Sequence, residues 1–201
     1  MVNLKNRATR CEVFILAGGL SARMGRDKSR VRLGPQTMLE HVRAAAARTG
    51  LPVRVIRRDA VPRCGPLGGI YTALKRSRAE MVLFLACDMP FVPSELLERM
   101  VNAFGRDGAL RSTLRKDGAA RRPCQFATAL FASKNGRAGF PFLLRREFAL
   151  PVVTKQIQAG EYSLQSLAKK LRAKTLRFSA GQLANINTPA ELKKAERLFR
   201  S

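Results

Sequence analysis

Between Leu16 and Lys28 the chain reads Leu-Ala-Gly-Gly-Leu-Ser-Ala-Arg-Met-Gly-Arg-Asp-Lys. Gly18, Gly19 and Gly25 stand there with two arginines, an aspartate and a lysine, a set suited to holding a polyphosphate. Glycine lets backbone N–H groups approach a ligand where a Cβ would collide, and Arg and Lys add charge-assisted hydrogen bonds. The stretch is not a P-loop, because no Gly-Lys-Ser/Thr opens a helix, and it lacks Gly-x-Gly-x-x-Gly. Glycines followed by Arg23, Asp27 and Lys28 favour a ligand loop over a plain turn. Two further carboxylates, Asp59 and Asp88, recur at comparable places farther along the chain.

These groups need a frame. Cys11–Ala17 is a short apolar run that stops at a glycine pair, the pattern of a buried strand ending in a loop. Thr37–Val42 leads into Arg43–Arg48, strong helix formers closed by Gly50 and Pro52. Pro52–Ile56 reads as a second strand, Asp59–Gly65 as a loop and Gly68–Lys75 as a second helix. Met81–Ala86 is apolar throughout, a strand buried on both faces. It ends in Cys87-Asp88-Met89-Pro90, and Ser94 can cap a helix through Met100. Such alternation predicts a parallel sheet wound by helices, with ligands beyond the carboxyl ends of its strands. Of only five aspartates, three (Asp27, Asp59, Asp88) follow the first three strands. One crevice built by three loops is the expectation.

The second half is less regular. Leu110–Arg115 and Cys124–Phe131 read as strands with a turn at Lys116-Asp117-Gly118, and Ser133–Gly139 as a polar, mobile loop. Pro151–Ile157 reads as helical up to Gly160, Ser163 as the cap of a helix through Leu171, and Lys174–Phe178 as a last core strand. At the C-terminus, Thr188 caps, Pro189 takes the first turn and Glu191 completes a capping box. Asn185 and Asn187, just upstream, are by themselves turn residues.

Composition sets outer limits. With 201 residues and 46% apolar content, one domain spanning 1–201 is expected, with residues 1–10 as a basic, flexible tail. No stretch approaches the roughly 20 apolar residues of a membrane span, and no signal peptide precedes the first strand. Four cysteines (Cys11, Cys64, Cys87, Cys124) are scattered without a Cys-x-x-Cys pair, which argues against zinc and disulfides and for a cytoplasmic protein. Lys and Arg total 38 against 14 acids, a formal +24. That field suits polyanions, either a phosphate-rich small molecule or nucleic acid. The basic residues are spread along the chain with little aromatic interleaving, so the reading is a basic solvated surface rather than a nucleic-acid module.

The motifs together resemble one family. Leu-Ala-Gly-Gly-x-Ser-x-Arg-Met-Gly-x-Asp-Lys at 16–28 is similar to the signature of the molybdenum cofactor guanylyltransferases, the MobA-like nucleotidyltransferases. Gly65-Pro66-Leu67-Gly68-Gly69, Cys87-Asp88-Met89-Pro90-Phe91 and Asn185-Ile186-Asn187-Thr188-Pro189 agree in order. The resemblance implies a Rossmann-like three-layer α/β/α sandwich with a mostly parallel sheet, of nucleotidyltransferase type. It implies transfer of GMP from GTP to molybdopterin, with Mg²⁺ as cofactor and pyrophosphate as by-product.

It also assigns roles. Leu16, Ala17, Gly18 and Gly19 fall on the nucleotide, the first three against the guanine. Arg23 and Lys28 fall on the triphosphate as catalytic groups. Asp88 matches the aspartate that meets both nucleotide and Mg²⁺. Asp59 matches a nucleotide-binding aspartate ahead of Gly-Pro-Leu, although this chain is shorter there and carries Arg57-Arg58 where relatives often have Asn. Asn185 and Asn187 match acceptor-binding positions. GTP and molybdopterin are the implied partners, with transient contact to cofactor-delivering proteins or molybdoenzymes.

A related cytidylyltransferase, or an enzyme with another small acceptor, is the nearest alternative, though cytidylyl relatives usually read Leu-Ala-Ala-Gly where this chain has Ala17-Gly18-Gly19. A non-catalytic nucleic-acid-binding protein is the alternative of a different class. A phosphate acceptor is already nucleophilic, so the chemistry needs positioning and charge neutralisation more than a base. The only histidine, His41, lies outside the motifs and reads as a packing residue.

Overall fold

The computed structural model describes residues 10–18, 30–114, 127–134, 137–178 and 184–200. Gly19, Arg23, Gly25, Asp27 and Lys28, the residues 1–9 of the expected tail, Cys124 and the turn expected at 116–118 lie outside them.

Among the described residues eight strands form, six of them in one sheet. These are β1 (Cys11–Leu16), β4 (Val53–Ile56), β5 (Met81–Ala86), β6 (Ala129–Lys134), β7 (Arg137–Arg145) and β8 (Lys174–Arg177). Their order is β4-β1-β5-β7-β6-β8. β1 runs parallel to β4 and β5, and β6 parallel to β8, while β7 is antiparallel to both neighbours. A two-stranded ribbon, β2 (Arg32–Leu33) with β3 (Gln36–Thr37), stands apart.

Continuous apolar runs make the central strands, because helices cover both faces. Helix α1 (Met38–Ala47) lays Leu39, Val42 and Ala46 on one face, beside Leu96, Leu97, Met100 and Phe104 of α3 (Ser94–Leu114). On the other face, α2 (Pro66–Arg76) contributes Leu67, Ile70, Ala73 and Leu74. Ala149 and Val153 of α4 (Arg146–Gln158) and Leu167 of α5 (Leu164–Lys170) join it. The last helix, α6 (Pro189–Arg200), packs on the ribbon through a small cluster with Leu33, Met38 and Ile186. The fold is the expected three-layer α/β/α arrangement.

One feature fixes the strand register. Phe14, Phe84, Phe142 and Phe131 are direct partners across β1, β5, β7 and β6. Their rings follow one another at 6.5, 4.9 and 4.6 Å between centroids, all on the α2 face. A one-residue slip would turn the row of aromatic rings to the other face of the sheet, so the register is strongly specified.

Several local expectations need correction. Residues 110–114 are helical, because α3 continues through Leu114 instead of stopping near Met100. Ser94 is the first residue of α3 and not its cap: Leu97 N–H donates to Pro93 C=O (3.4 Å), and the Ser94 hydroxyl donates to Glu95 Oε1 (3.2 Å). Ser133–Gly139 is not a long loop. Ser133 pairs with Ala138 and Lys134 with Arg137, so these residues belong to a hairpin. β8 is an edge strand, paired with β6 alone and largely exposed, not a core strand. Thr37 and Glu40 add a complete capping box on α1 that the sequence reading did not include. Elsewhere the expected caps hold: Ser163 Oγ accepts from Ser166 N–H (3.3 Å) on α5. Thr188 Oγ1 accepts from Glu191 N–H (3.2 Å) while Glu191 Oε2 accepts from Thr188 N–H (3.0 Å).

Candidate active site

The carboxyl ends of β4, β1 and β5 are bound to one another past the last ladder residues. Ala17 N–H donates to Ile56 C=O (2.8 Å), and Cys87 N–H donates to Leu16 C=O (3.2 Å). Gly18, Asp59 and Asp88 therefore leave adjacent strands at one end of the sheet, with Gly18 on the middle strand. The three loops expected to share a site thus start from adjacent strand ends. Leu16 and Ala17 are half-buried there and Gly18 is exposed.

On the β4 side, the loop after Ile56 closes against the start of α2. Gly65, at φ 54°, sits in the left-handed region that glycine tolerates, and Pro66 follows as the first helical residue. Thr72 then locks the loop to the helix. Its hydroxyl accepts from Ala60 N–H (2.8 Å) and donates to Gly68 C=O (2.7 Å). Thr72 is fully buried on α2 and was missed by motif reading; a hydroxyl on the buried face of an amphipathic helix was the available signal.

This arrangement brings Asp59 onto the glycines. A Cβ at Gly68 would lie 2.6 Å from Val61 O and 2.8 Å from Asp59 Oδ2, and one at Gly69 would lie 3.3 Å from Asp59 Oδ1. On the facing strand, a Cβ at Gly18 would lie 3.1 Å from Arg57 O and 3.5 Å from Asp59 Oδ1. Three glycines thus give the Asp59 carboxylate its place between β1 and the first turn of α2. Burial raises its pKa above the usual carboxylate value.

On the β5 side, Asp88 is half-buried just past the central strand, with Met89 and Pro90 buried behind it. Its backbone is fixed from a remote part of the chain, since Ile186 N–H donates to Asp88 C=O (2.9 Å). Ile186 is buried with Leu33 and Met38, so Asn185 and Asn187 flank an anchored residue beside Asp88. Asn187 N–H donates to Glu191 Oε2 (2.7 Å), which joins this segment to the capping box of α6. The structure thus brings Leu16, Ala17, Gly18, Asp59, Asp88, Asn185 and Asn187 to one end of the sheet. His41 stays outside, its Nε2 2.8 Å from Leu33 O, as a packing residue. Cys11, Cys64 and Cys87 are buried and not in disulfides, and the described residues contain no cluster of three or more His, Cys, Asp or Glu that could hold a metal ion. No helix among them is long and apolar enough to cross a membrane.

Gly18 on the middle strand, with Asp59 and Asp88 past its two parallel neighbours, thus stands at one end of the sheet. Solved structures share the fold along nearly the whole chain. Molybdopterin-guanine dinucleotide biosynthesis protein A from Archaeoglobus fulgidus superposes with a TM-score of 0.67 at 20% identity, covering 94% of this chain and 98% of that one. The 2-C-methyl-D-erythritol 4-phosphate cytidylyltransferase from Thermus thermophilus also gives 0.67, at 17% identity over 96% and 100%. The fold alone therefore does not choose the base.

Residues 13–175 match the MobA-like NTP transferase domain, and the chain belongs to that family. It is 27% identical to a probable molybdenum cofactor guanylyltransferase of Flavobacterium johnsoniae, covering 89% of this chain and 93% of the relative. It is also 27% identical to the molybdenum cofactor guanylyltransferase of Vibrio campbellii, over 92% and 94%.

Proposed function

We propose that this nucleotidyltransferase transfers GMP from GTP to molybdopterin with Mg²⁺. The observation that carries the reading is the bond from Ile186 to Asp88, which sets the Asn185–Asn187 segment beside the carboxylate at the end of the central strand. Full-length similarity to relatives named for this activity supports it.

The residues divide the work. Leu16, Ala17 and Gly18 receive the guanine along the β1 end, with Gly19 continuing that loop. Asp59 borders the same side. Arg23 and Lys28 neutralise the triphosphate and hold the departing pyrophosphate. Asn185 and Asn187 orient the acceptor. A phosphate oxygen of the acceptor attacks the α-phosphorus of GTP; that bond forms as the bond from the α-phosphorus to the α–β bridging oxygen breaks, and pyrophosphate leaves with those electrons. The general positive charge of the chain favours two polyanionic substrates.

The donors fit the metal. Mg²⁺ prefers hard oxygen ligands, keeps several waters and is satisfied by one or two carboxylates plus phosphates. Asp88 supplies such a carboxylate at a rigid strand end. When bound there, Mg²⁺ would neutralise charge on the phosphates.

Two measurements test the reading. Thermal shifts with GTP, CTP, ATP and UTP in Mg²⁺ should single out GTP. Pyrophosphate release should require GTP and molybdopterin together. Selective stabilisation by CTP, or release without molybdopterin, would overturn the base or the acceptor respectively.

A further inference from the structure

The hairpin of β6 and β7 has no part in the motifs, yet it rises beside the crevice. β5 and β7 pair only from Met81–Arg145 to Phe84–Phe142. Beyond Phe142, β7 continues to Arg137 while β5 continues toward Asp88, held by β1 alone. Because β7 is antiparallel to β5, its first residues, Arg137–Gly139, lie at the end of the sheet where β5 leads to Asp88. Among the described residues no ladder pair joins the two strands there. The β6–β7 ladder also shifts, with Phe131 opposite Phe142 but Ala132 opposite Gly139.

The parted hairpin is held by α5. Ala138 N–H donates to Gln165 Oε1 (3.2 Å), and Gln165 Nε2 donates to Ala138 C=O (2.5 Å). One side-chain amide thus replaces a neighbouring strand. Gly139 pairs with Ala132, which belongs to the core on the α1/α3 face. Gly139 and Arg137, two residues apart on one strand, face that same side. At the same end of the sheet Ile186 N–H donates to Asp88 C=O and brings Asn185 and Asn187 to that strand end. A Cβ at Gly139 would meet no atom of the described residues within 4 Å, and Arg137 is exposed.

We infer that the β6–β7 hairpin is the far wall of the acceptor site, where the open face at Gly139 takes the acceptor's ring and Arg137 pairs with its phosphate. Gln165 is a positioning residue that fixes the wall's distance from Asp88. The inference rests on the acceptor assigned above and adds residues outside the family motifs. A guanidinium is suited to this task because it binds phosphate bidentately and stays charged.

The test measures equilibrium binding of molybdopterin without GTP, then the KM for each substrate. Gly139→Leu should block the acceptor while leaving the melting temperature and the KM for GTP unchanged. Arg137→Ala should weaken molybdopterin binding about tenfold or more, the loss of one charge-assisted contact, with Arg137→Lys recovering part of it. Gln165→Ala should raise the KM for molybdopterin and leave that for GTP alone. Lys155→Ala, which removes the same charge from exposed α4, should change neither. Parent-like molybdopterin binding by both Gly139→Leu and Arg137→Ala would overturn the wall. A parent protein that binds molybdopterin but does not transfer GMP would overturn only the proposed reaction, and one that does not bind it would overturn both.

Discussion

Ile186 donates its backbone N–H to the carbonyl of Asp88 across 2.9 Å, joining the end of the central strand to a segment nearly half the chain away. The backbone of Asp88 is thereby held by a peptide contact that no side-chain substitution at position 88 removes. Function at this residue can be tested with little structural cost.

Asp88→Asn keeps the size of the side chain and removes the negative charge that a hard cation needs. The expected result is a folded protein of nearly unchanged melting temperature whose Mg²⁺-dependent GMP transfer falls by orders of magnitude. Circular dichroism on heating and a pyrophosphate assay across Mg²⁺ concentrations check it. Substantial activity at ordinary Mg²⁺ would remove Asp88 from the metal site.

The glycines around Asp59 predict two different outcomes. At Gly68 the new methyl would sit 2.6 Å from a backbone oxygen, a clash that only movement of the loop relieves. Overpacking of this kind costs about 1–3 kcal/mol, so Gly68→Ala should lower the denaturation midpoint despite alanine's better helix propensity. At Gly18 the nearest approach is 3.1 Å, to Arg57 O, which a small shift of the β4 loop accommodates. Gly18→Ala should therefore weaken GTP binding more than it lowers stability, as measured by calorimetry and denaturant unfolding on the same samples.

Asp59 gives a pH prediction. Burial raises its folded-state pKa, so the folded protein holds this proton over a range where the unfolded chain has released it. Its contribution to stability is therefore most favourable at acid pH and declines as pH rises from its ordinary value through the folded one. Asp59→Asn should be more stable than the parent at pH 7, and this advantage should vanish below pH 3 (about one unit under the ordinary value). Denaturant unfolding at both pH values checks the sign; a larger advantage for the variant at the acid end would contradict it.

Asn185→Ala and Asn187→Ala should leave GTP affinity nearly intact and impair transfer to molybdopterin. Backbone bonds from Ile186 and Asn187 hold the segment, so truncating either amide need not displace it. Titration with GTP and a transfer assay separate the two effects. Normal transfer in both variants would return them to the role of turn residues.

The first half of the chain could be read from sequence because its signals are local. Apolar runs ahead of a glycine or aspartate loop pointed to β1, β4 and β5 with little boundary error, and the Thr188/Glu191 pair is the capping box it reads as. The carboxylates were found for the same reason, since each lies just past such a strand. The β6–β7 hairpin was missed because Ser133, Lys134 and Arg137 are polar and sit where strand pairing, not hydrophobicity, keeps the chain extended. The Asn135-Gly136 dipeptide was the available turn signal. Thr72 and Gln165 escaped because each acts by bonding a backbone segment far from it in sequence.

The bond between Ile186 and Asp88 also sets an order of events during synthesis. The strands β4, β1 and β5, with the glycines and Asp59, are all made within the first half of the chain. Asn185 and Asn187 are made well after them, and α6 must still pack on the ribbon. The ends of β4, β1 and β5 can thus form early, whereas the Asn185–Asn187 segment waits for α6 to dock. On the proposed assignment, translation that stops short of α6 would yield a protein able to engage a nucleotide and unable to place a recipient for it.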